Sequence, residues 1–188
     1  MGLLRTLPLL AGGTVATAAA AVAIATRHVR PTPLLTLDPS ALISRFVSVP
    51  HQHVDVFEVS LDQPTSVTDV ARAFFQSPVF QVERMVLNLA GAYVTTDAAI
   101  DSLPFAVGDS VVMFKVVDTT PNELLFKYSD KVNGHSWLAV SDDGRRLRFG
   151  STIQNASLAV RLFTPIHLIY AQVVLASAKY ELEKQAEL

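Results

Sequence analysis

The chain has no cysteine. This excludes a disulfide scaffold, thiolate zinc sites and cysteine nucleophiles. Charge is scarce as well. Asp, Glu, Lys and Arg make up 17% of the 188 residues, against about 25% in an average globular domain. The formal net charge is −2, so there is no general basic footprint for nucleic acid. No G-x-S-x-G, P-loop, Rossmann glycine pattern or H-E-x-x-H occurs, which removes the commonest local signatures of catalysis. No metal or cofactor is expected.

Half of the residues are hydrophobic, which excludes a disordered chain. The length suits one domain.

The N-terminal 37 residues lack acidic side chains; Arg5, Arg27 and Arg30 are their only charges. Between Arg5 and Arg27 lie 21 uncharged residues, Thr6 to Thr26. About 20 apolar residues span a hydrocarbon core. Eight of the 21 are Ala, and Pro8, Gly12 and Gly13 interrupt the run. Three readings fit residues 1–30. They form a transmembrane anchor, a cleaved secretory signal ending near Ala23-Ile24-Ala25, or a mitochondrial import segment. The expected location is therefore a mitochondrial or secretory-pathway membrane. Arginines on both sides leave orientation open. Asn155-Ala156-Ser157 is a formal glycosylation sequon.

Residues 31–53 contain Pro31, Pro33, Pro39 and Pro50. Proline fixes φ and removes a donor, so this stretch reads as an extended linker. Leu42 to Val47 forms a short element within it.

The folded domain is expected over 54–188. Val54 to Leu61 is β-branched and aromatic and reads as a strand. Ser66 with Asp69 three positions on resembles a capping box. Val67, Val70, Ala71 and Phe74 then keep helical spacing. Ser77-Pro78 breaks that helix, and Pro78 opens a second running to Gly91.

From Val111 the pattern is strand and turn. Thr120-Pro121-Asn122, Asn133-Gly134 and Asp143-Gly144 punctuate an antiparallel meander. A long helical pattern from Ser157 to about Glu183 closes the chain, with Pro165 inside it. Leu162 to Ala178 carries no formal charge, which touches the lower limit of a membrane span. Pro165, His167 and Gln172 argue against that. A meander must bury one face, and only this helix is long enough to cover it. The expected fold is α+β, of helix-grip type: an antiparallel sheet around a long C-terminal helix.

Three stretches add a resemblance. Phe105-Ala106-Val107-Gly108-Asp109-Ser110-Val111, Phe114-Lys115-Val116-Val117 and Asn122-Glu123-Leu124-Leu125-Phe126 resemble a START-like family of domains of unknown function. Ser151 to Asn155 and Leu162-Phe163-Thr164-Pro165-Ile166-His167 are similar to its last strand and helix start. The likeness covers roughly residues 54–178. It implies a helix-grip fold and no established activity. Related START-like groups bind lipids, sterols or quinones, and some are cyclases or hydratases. Members usually carry Arg after the His; here Leu168 stands instead, so a polar site built on that Arg is missing.

Candidate site residues are few. His167 lies on the apolar helix, and Tyr170 is three residues on, so the two are neighbours. His167 could act as a base near neutral pH, though a hydrogen-bonded helix histidine is the commoner case. Trp137 alternates with His135, so both could face one pocket. Phe163 completes the expected ligand-binding set. His51-Gln52-His53 sits at a linker edge without a third ligand and reads as a solvated loop. Arg145, Arg146 and Arg148 read as a solvated strand face.

The leading expectation is a membrane-tethered module that binds a hydrophobic small molecule such as a lipid or quinone. The second is a non-catalytic accessory subunit of a membrane complex. The third is a cavity enzyme using His167 and Tyr170.

Overall fold

A computed structural model describes residues 22–89, 95–154 and 158–186. Most of the expected anchor, Gly91 and the Asn155 sequon lie outside the described residues.

The architecture is α+β. Seven antiparallel strands form one sheet in the order β1-β2-β7-β6-β5-β4-β3. They are β1 (Arg30–Pro31), β2 (Gln52–Ser60), β3 (Ser110–Val111), β4 (Phe114–Thr120), β5 (Glu123–Ser129), β6 (Gly134–Val140) and β7 (Arg146–Gln154). Helices α1 (Val67–Gln76), α2 (Pro78–Leu89) and α3 (Asp97–Asp101) separate β2 from the meander, and α4 (Leu158–Ala186) follows β7. The second half of the chain thus returns β7 to lie beside β2.

Local chemistry sets the helix boundaries. The Ser66 hydroxyl oxygen accepts the Asp69 N–H at 3.1 Å and opens α1. Val67, Val70, Ala71 and Phe74 then face inward, all buried. Ser77 joins α1 to α2: its hydroxyl donates to the Phe74 carbonyl at 2.8 Å and accepts the Phe80 N–H. Pro78 follows as the first residue of α2, where a missing N–H costs nothing. Pro165 lies inside α4, and the helix runs on through it.

The sheet buries both faces. Phe57 and Val59 on β2, Leu147 and Phe149 on β7 and Leu138 and Val140 on β6 pack against α1, α2 and α4. Phe75 sits at the middle of this core, in ring contact with Phe74, Phe80, Phe105, Phe114 and Phe126 at centroid distances of 5.0–6.2 Å. These distances suit edge and offset aromatic packing. In α4 the buried positions are Ala171, Val174, Leu175 and Ala178.

The other face carries a second core. Val54, Val56, Leu125, Trp137 and Ala139 meet Leu37, Ala41, Ile43 and Phe46. The stretch read as a linker therefore belongs, over residues 34–47, to the folded unit. It has a mechanism for staying there. The Glu123 carboxylate accepts both the Trp137 indole N–H at 2.7 Å and the Leu42 backbone N–H at 2.8 Å. Gly150 marks the closest approach: a Cβ there would lie 2.4 Å from Ile43 Cδ1 and 3.1 Å from the Trp137 ring. β6 is buried at all seven positions, because its two faces have separate covers.

Ile43 is fully buried at this contact. Ile43→Ala is expected to destabilise the fold by about 2–5 kcal/mol, the usual cost of emptying such a site. Urea unfolding followed by Trp137 fluorescence measures it; an unchanged midpoint would mean that this segment is not part of the cooperative unit.

Candidate functional site

A cavity of about 260 Å³ lies between α4, α2 and the helix-covered face of the sheet. Phe74, Phe80, Phe114, Phe149, Met113 and Val174 give it an apolar wall. Glu83, Tyr128, Ser136, His167 and Tyr170 are its polar lining.

A hydrogen-bonded polar chain with two buried members lies against this cavity. Asp55 and Ser151 are directly paired across β2 and β7, and Ser151 pairs with Ser136 of β6. Their side chains therefore share a face. Asp55 and Ser151 are 7% and 1% exposed. Ser151 Oγ lies 2.5 and 3.0 Å from the two Asp55 oxygens and 2.6 Å from His167 Nε2. Asp55 Oδ1 is 3.7 Å from the same nitrogen.

With Asp55 ionised, the protons on this chain have one consistent arrangement. A carboxylate only accepts, and a serine has one proton. Ser151 must give that proton to Asp55, since two bare oxygens at 2.5 Å would repel. His167 Nε2 must then donate to Ser151 Oγ. The order His167→Ser151→Asp55 differs from a hydrolytic triad, where the carboxylate orients the histidine and the histidine takes the serine proton. Ser151 is buried and its oxygen is engaged on both sides, so it is not placed to attack a ligand. Asp55, Ser151 and His167 form a brace that joins α4 to the sheet.

A second brace joins α4 to α2: the Tyr170 hydroxyl donates to Glu83 Oε2. Burial, helped by the Glu83 charge, pushes the Tyr170 hydroxyl pKa far upward. Across the cavity, the Tyr128 hydroxyl donates to the Thr152 carbonyl at 3.2 Å. Burial and the nearby Asp55 charge push its pKa up to about 12. The Tyr128 ring lies where a Cβ on Gly134 would stand, 2.4 Å away, so glycine there leaves the ring its place.

His167 and Tyr170, expected together, both line the cavity. Two other expected ligand-binding residues do not. Trp137 is on the opposite face of the sheet, in the second core, because period-2 alternation puts it back to back with Ser136 and Leu138. Phe163 is 65% exposed on the outer side of α4. His135 shares the face of Trp137 and stacks on Phe46, with ring centroids 4.5 Å apart. Leu168 packs against the main core. His51 occupies a left-handed turn (φ 61°) ahead of β2, which breaks the extended geometry a His51–His53 pair would need. Among the described residues no group of three or more His, Asp or Glu side chains could hold a metal ion. Arg145 caps the Asp62 carbonyl and Arg148 pairs with Glu58, so both serve the surface.

Asp55, Ser151, Glu83 and Tyr128 were not singled out from the sequence. A signal existed for one of them. Asp55 stands in period-2 register with Phe57 and Val59, so it is a carboxylate on an inward face.

No family model matches the chain, and no curated protein matches it in sequence.

Two expectations follow. Ser151→Ala leaves the buried Asp55 carboxylate without its hydroxyl donor, and should lower stability by roughly 1–3 kcal/mol in urea unfolding. His135 supplies a pH dependence. Its burial, with smaller contributions from Lys127 and Arg45, lowers its pKa in the fold. The unfolded chain therefore takes up the proton first, near pH about 6.5. The stability His135 allows is full above that pH and falls as the pH drops through it. In His135→Phe, melting temperature should vary less between pH 7.5 and 5.5 than in the parent; an equal slope would place the dependence elsewhere.

Proposed function

We propose that the chain is a membrane-tethered module that binds a hydrophobic small molecule, a lipid or a quinone, in the cavity beneath α4. The observation that carries this reading is the cavity itself. Its wall is apolar, a few polar groups sit at defined places, and it lies between a helix and a sheet. Binding sites commonly have this composition, with volumes of roughly 300–1,000 Å³, so about 260 Å³ suits a small ligand or one part of a larger one. The element order supports a START-like, helix-grip reading: strand, helices, meander, then a terminal helix laid on one face. The uncharged run from Thr6 to Thr26 supplies the tether, in a mitochondrial or secretory-pathway membrane.

The test uses the full chain in amphipol and the uncharged fluorophore 1-N-phenylnaphthylamine. Saturable binding is expected, with at least a tenfold loss in Ile153→Trp, which fills the cavity from the edge of β7. Native mass spectrometry of the purified chain should show a co-purifying small molecule. Absence of both signals would refute ligand binding.

A second reading, an accessory subunit of a membrane complex, is favoured by one specific observation. α2 exposes Val82, Met85 and Val86, and α4 exposes Leu162, Phe163, Ile166 and Ile169, each at least half accessible. Apolar surface of this kind on adjoining elements commonly marks a contact site. Leu162–Ala186 is also, by length and composition, the one described helix able to cross a membrane. The burial of Ala171, Val174, Leu175 and Ala178 makes it a core helix with an exposed first half. Co-migration with a large assembly on native gels is the expected outcome of the subunit reading, and a free monomer in mild detergent would exclude it.

A further inference from the structure

We infer that the cavity is built for an uncharged ligand that donates a hydrogen bond, such as a hydroxyl-bearing lipid, and that it discriminates against carboxylates and ketones. The inference rests on the ligand-binding reading above and specifies its ligand.

The basis is a donor count. Each ring group lining the cavity has already given its proton to the protein. His167 Nε2–H is committed to Ser151 Oγ at 2.6 Å, because Ser151 in turn serves Asp55. In the imidazole tautomer with its proton on Nε2, Nδ1 is an acceptor. The Tyr170 proton is committed to Glu83 and the Tyr128 proton to the Thr152 carbonyl. Both phenol oxygens can therefore only accept from a ligand. Glu83 is itself an acceptor. Ser136 is the one lining side chain with a hydroxyl able to do either.

The charges agree with this count. Glu83 from α2 lines the cavity, and Asp55 from β2 lies directly behind Ser151. Among the described residues no Lys or Arg lines it. Arg84, next to Glu83 in sequence, pairs instead with Asp97 at 2.6 Å. His53, one pair further along the face of Asp55, is not part of the lining. Two carboxylates thus lie in or just behind the lining. A ligand carboxylate would enter a site already negative, with only the Ser136 hydroxyl to donate to it. A ketone would escape the repulsion and find that same hydroxyl as its one donor, against several acceptors it cannot use. An alcohol can donate to one of these acceptors, and a lining with more acceptors than donors favours a ligand that donates.

The experiment compares three ligands of equal chain length as competitors of 1-N-phenylnaphthylamine on the full chain in amphipol at pH 8. They are 1-decanol, 2-decanone and decanoate. Ile153→Trp run in parallel subtracts partition into the amphipol. 1-Decanol is expected to displace the probe at about a tenfold lower concentration than either competitor, the size of one well-placed hydrogen bond. His167→Phe and Tyr170→Phe each remove one acceptor. If they fold, as their melting curves will show, at least one should narrow the alcohol's advantage. Equal or stronger displacement by decanoate or 2-decanone overturns the inference while leaving ligand binding intact. An alcohol advantage unchanged in both folded variants also overturns it. A probe that never binds saturably removes the ligand-binding reading and this inference with it.

Discussion

The structure depends on burying a sheet on both sides at once. Antiparallel sheets often leave one face to water, but here every residue of β6 is buried. Two covers make this possible. Helices α1, α2 and α4 close one face, and residues 34–47 close the other. The low charge of the chain reflects this arrangement, since two core faces require apolar residues on both sides of each central strand. The segment before β2 is consequently as much a part of the fold as the terminal helix. Glu123, accepting from both Trp137 and Leu42, is the polar tie that holds it in register.

α4 has two different halves. Its C-terminal half packs tightly, through Ala171, Val174, Leu175 and Ala178, whose small or branched side chains bring the helix close to the sheet. Its first half carries Leu162, Phe163, Ile166 and Ile169 outward. There the helix is held to its surroundings by polar braces, His167 to Ser151 and Tyr170 to Glu83. The cavity occupies the space that this looser half leaves above the sheet. Bulges at Val116/Asp118 and Lys127/Ser129 shift register and local twist, and place Tyr128 toward that space.

Much of the fold was legible in the residues. The Ser66–Asp69 cap, the Ser77-Pro78 junction, the turn signals of the meander and the long terminal helix are local features, and local chemistry decides them. His167 and Tyr170 were legible as neighbours lining one cavity because they are the polar pair of an apolar helix and lie three residues apart. Trp137 lies away from the cavity for a reason that local pattern does not show. Periodicity tells which residues share a face, but not which face meets the helix. Trp137 and His135 do share one, and it is the face covered by Phe46. The proline-rich stretch looked like a linker because prolines exclude regular structure, yet irregular backbone can still bury Ile43 and Phe46.

The sequence by itself determined the order of β2, α1, α2, the antiparallel meander and the long terminal helix. Each follows from spacing, turn residues and hydrophobic period within a few residues of one another. The tertiary structure decided the second core and the site. Asp55, Ser151 and His167 lie 96 and 16 residues apart in sequence steps, and only the pairing of β2 with β7 beneath α4 makes them one hydrogen-bonded chain. A donor's partner across a sheet depends on strand register, which is set by the whole fold rather than by any stretch of residues.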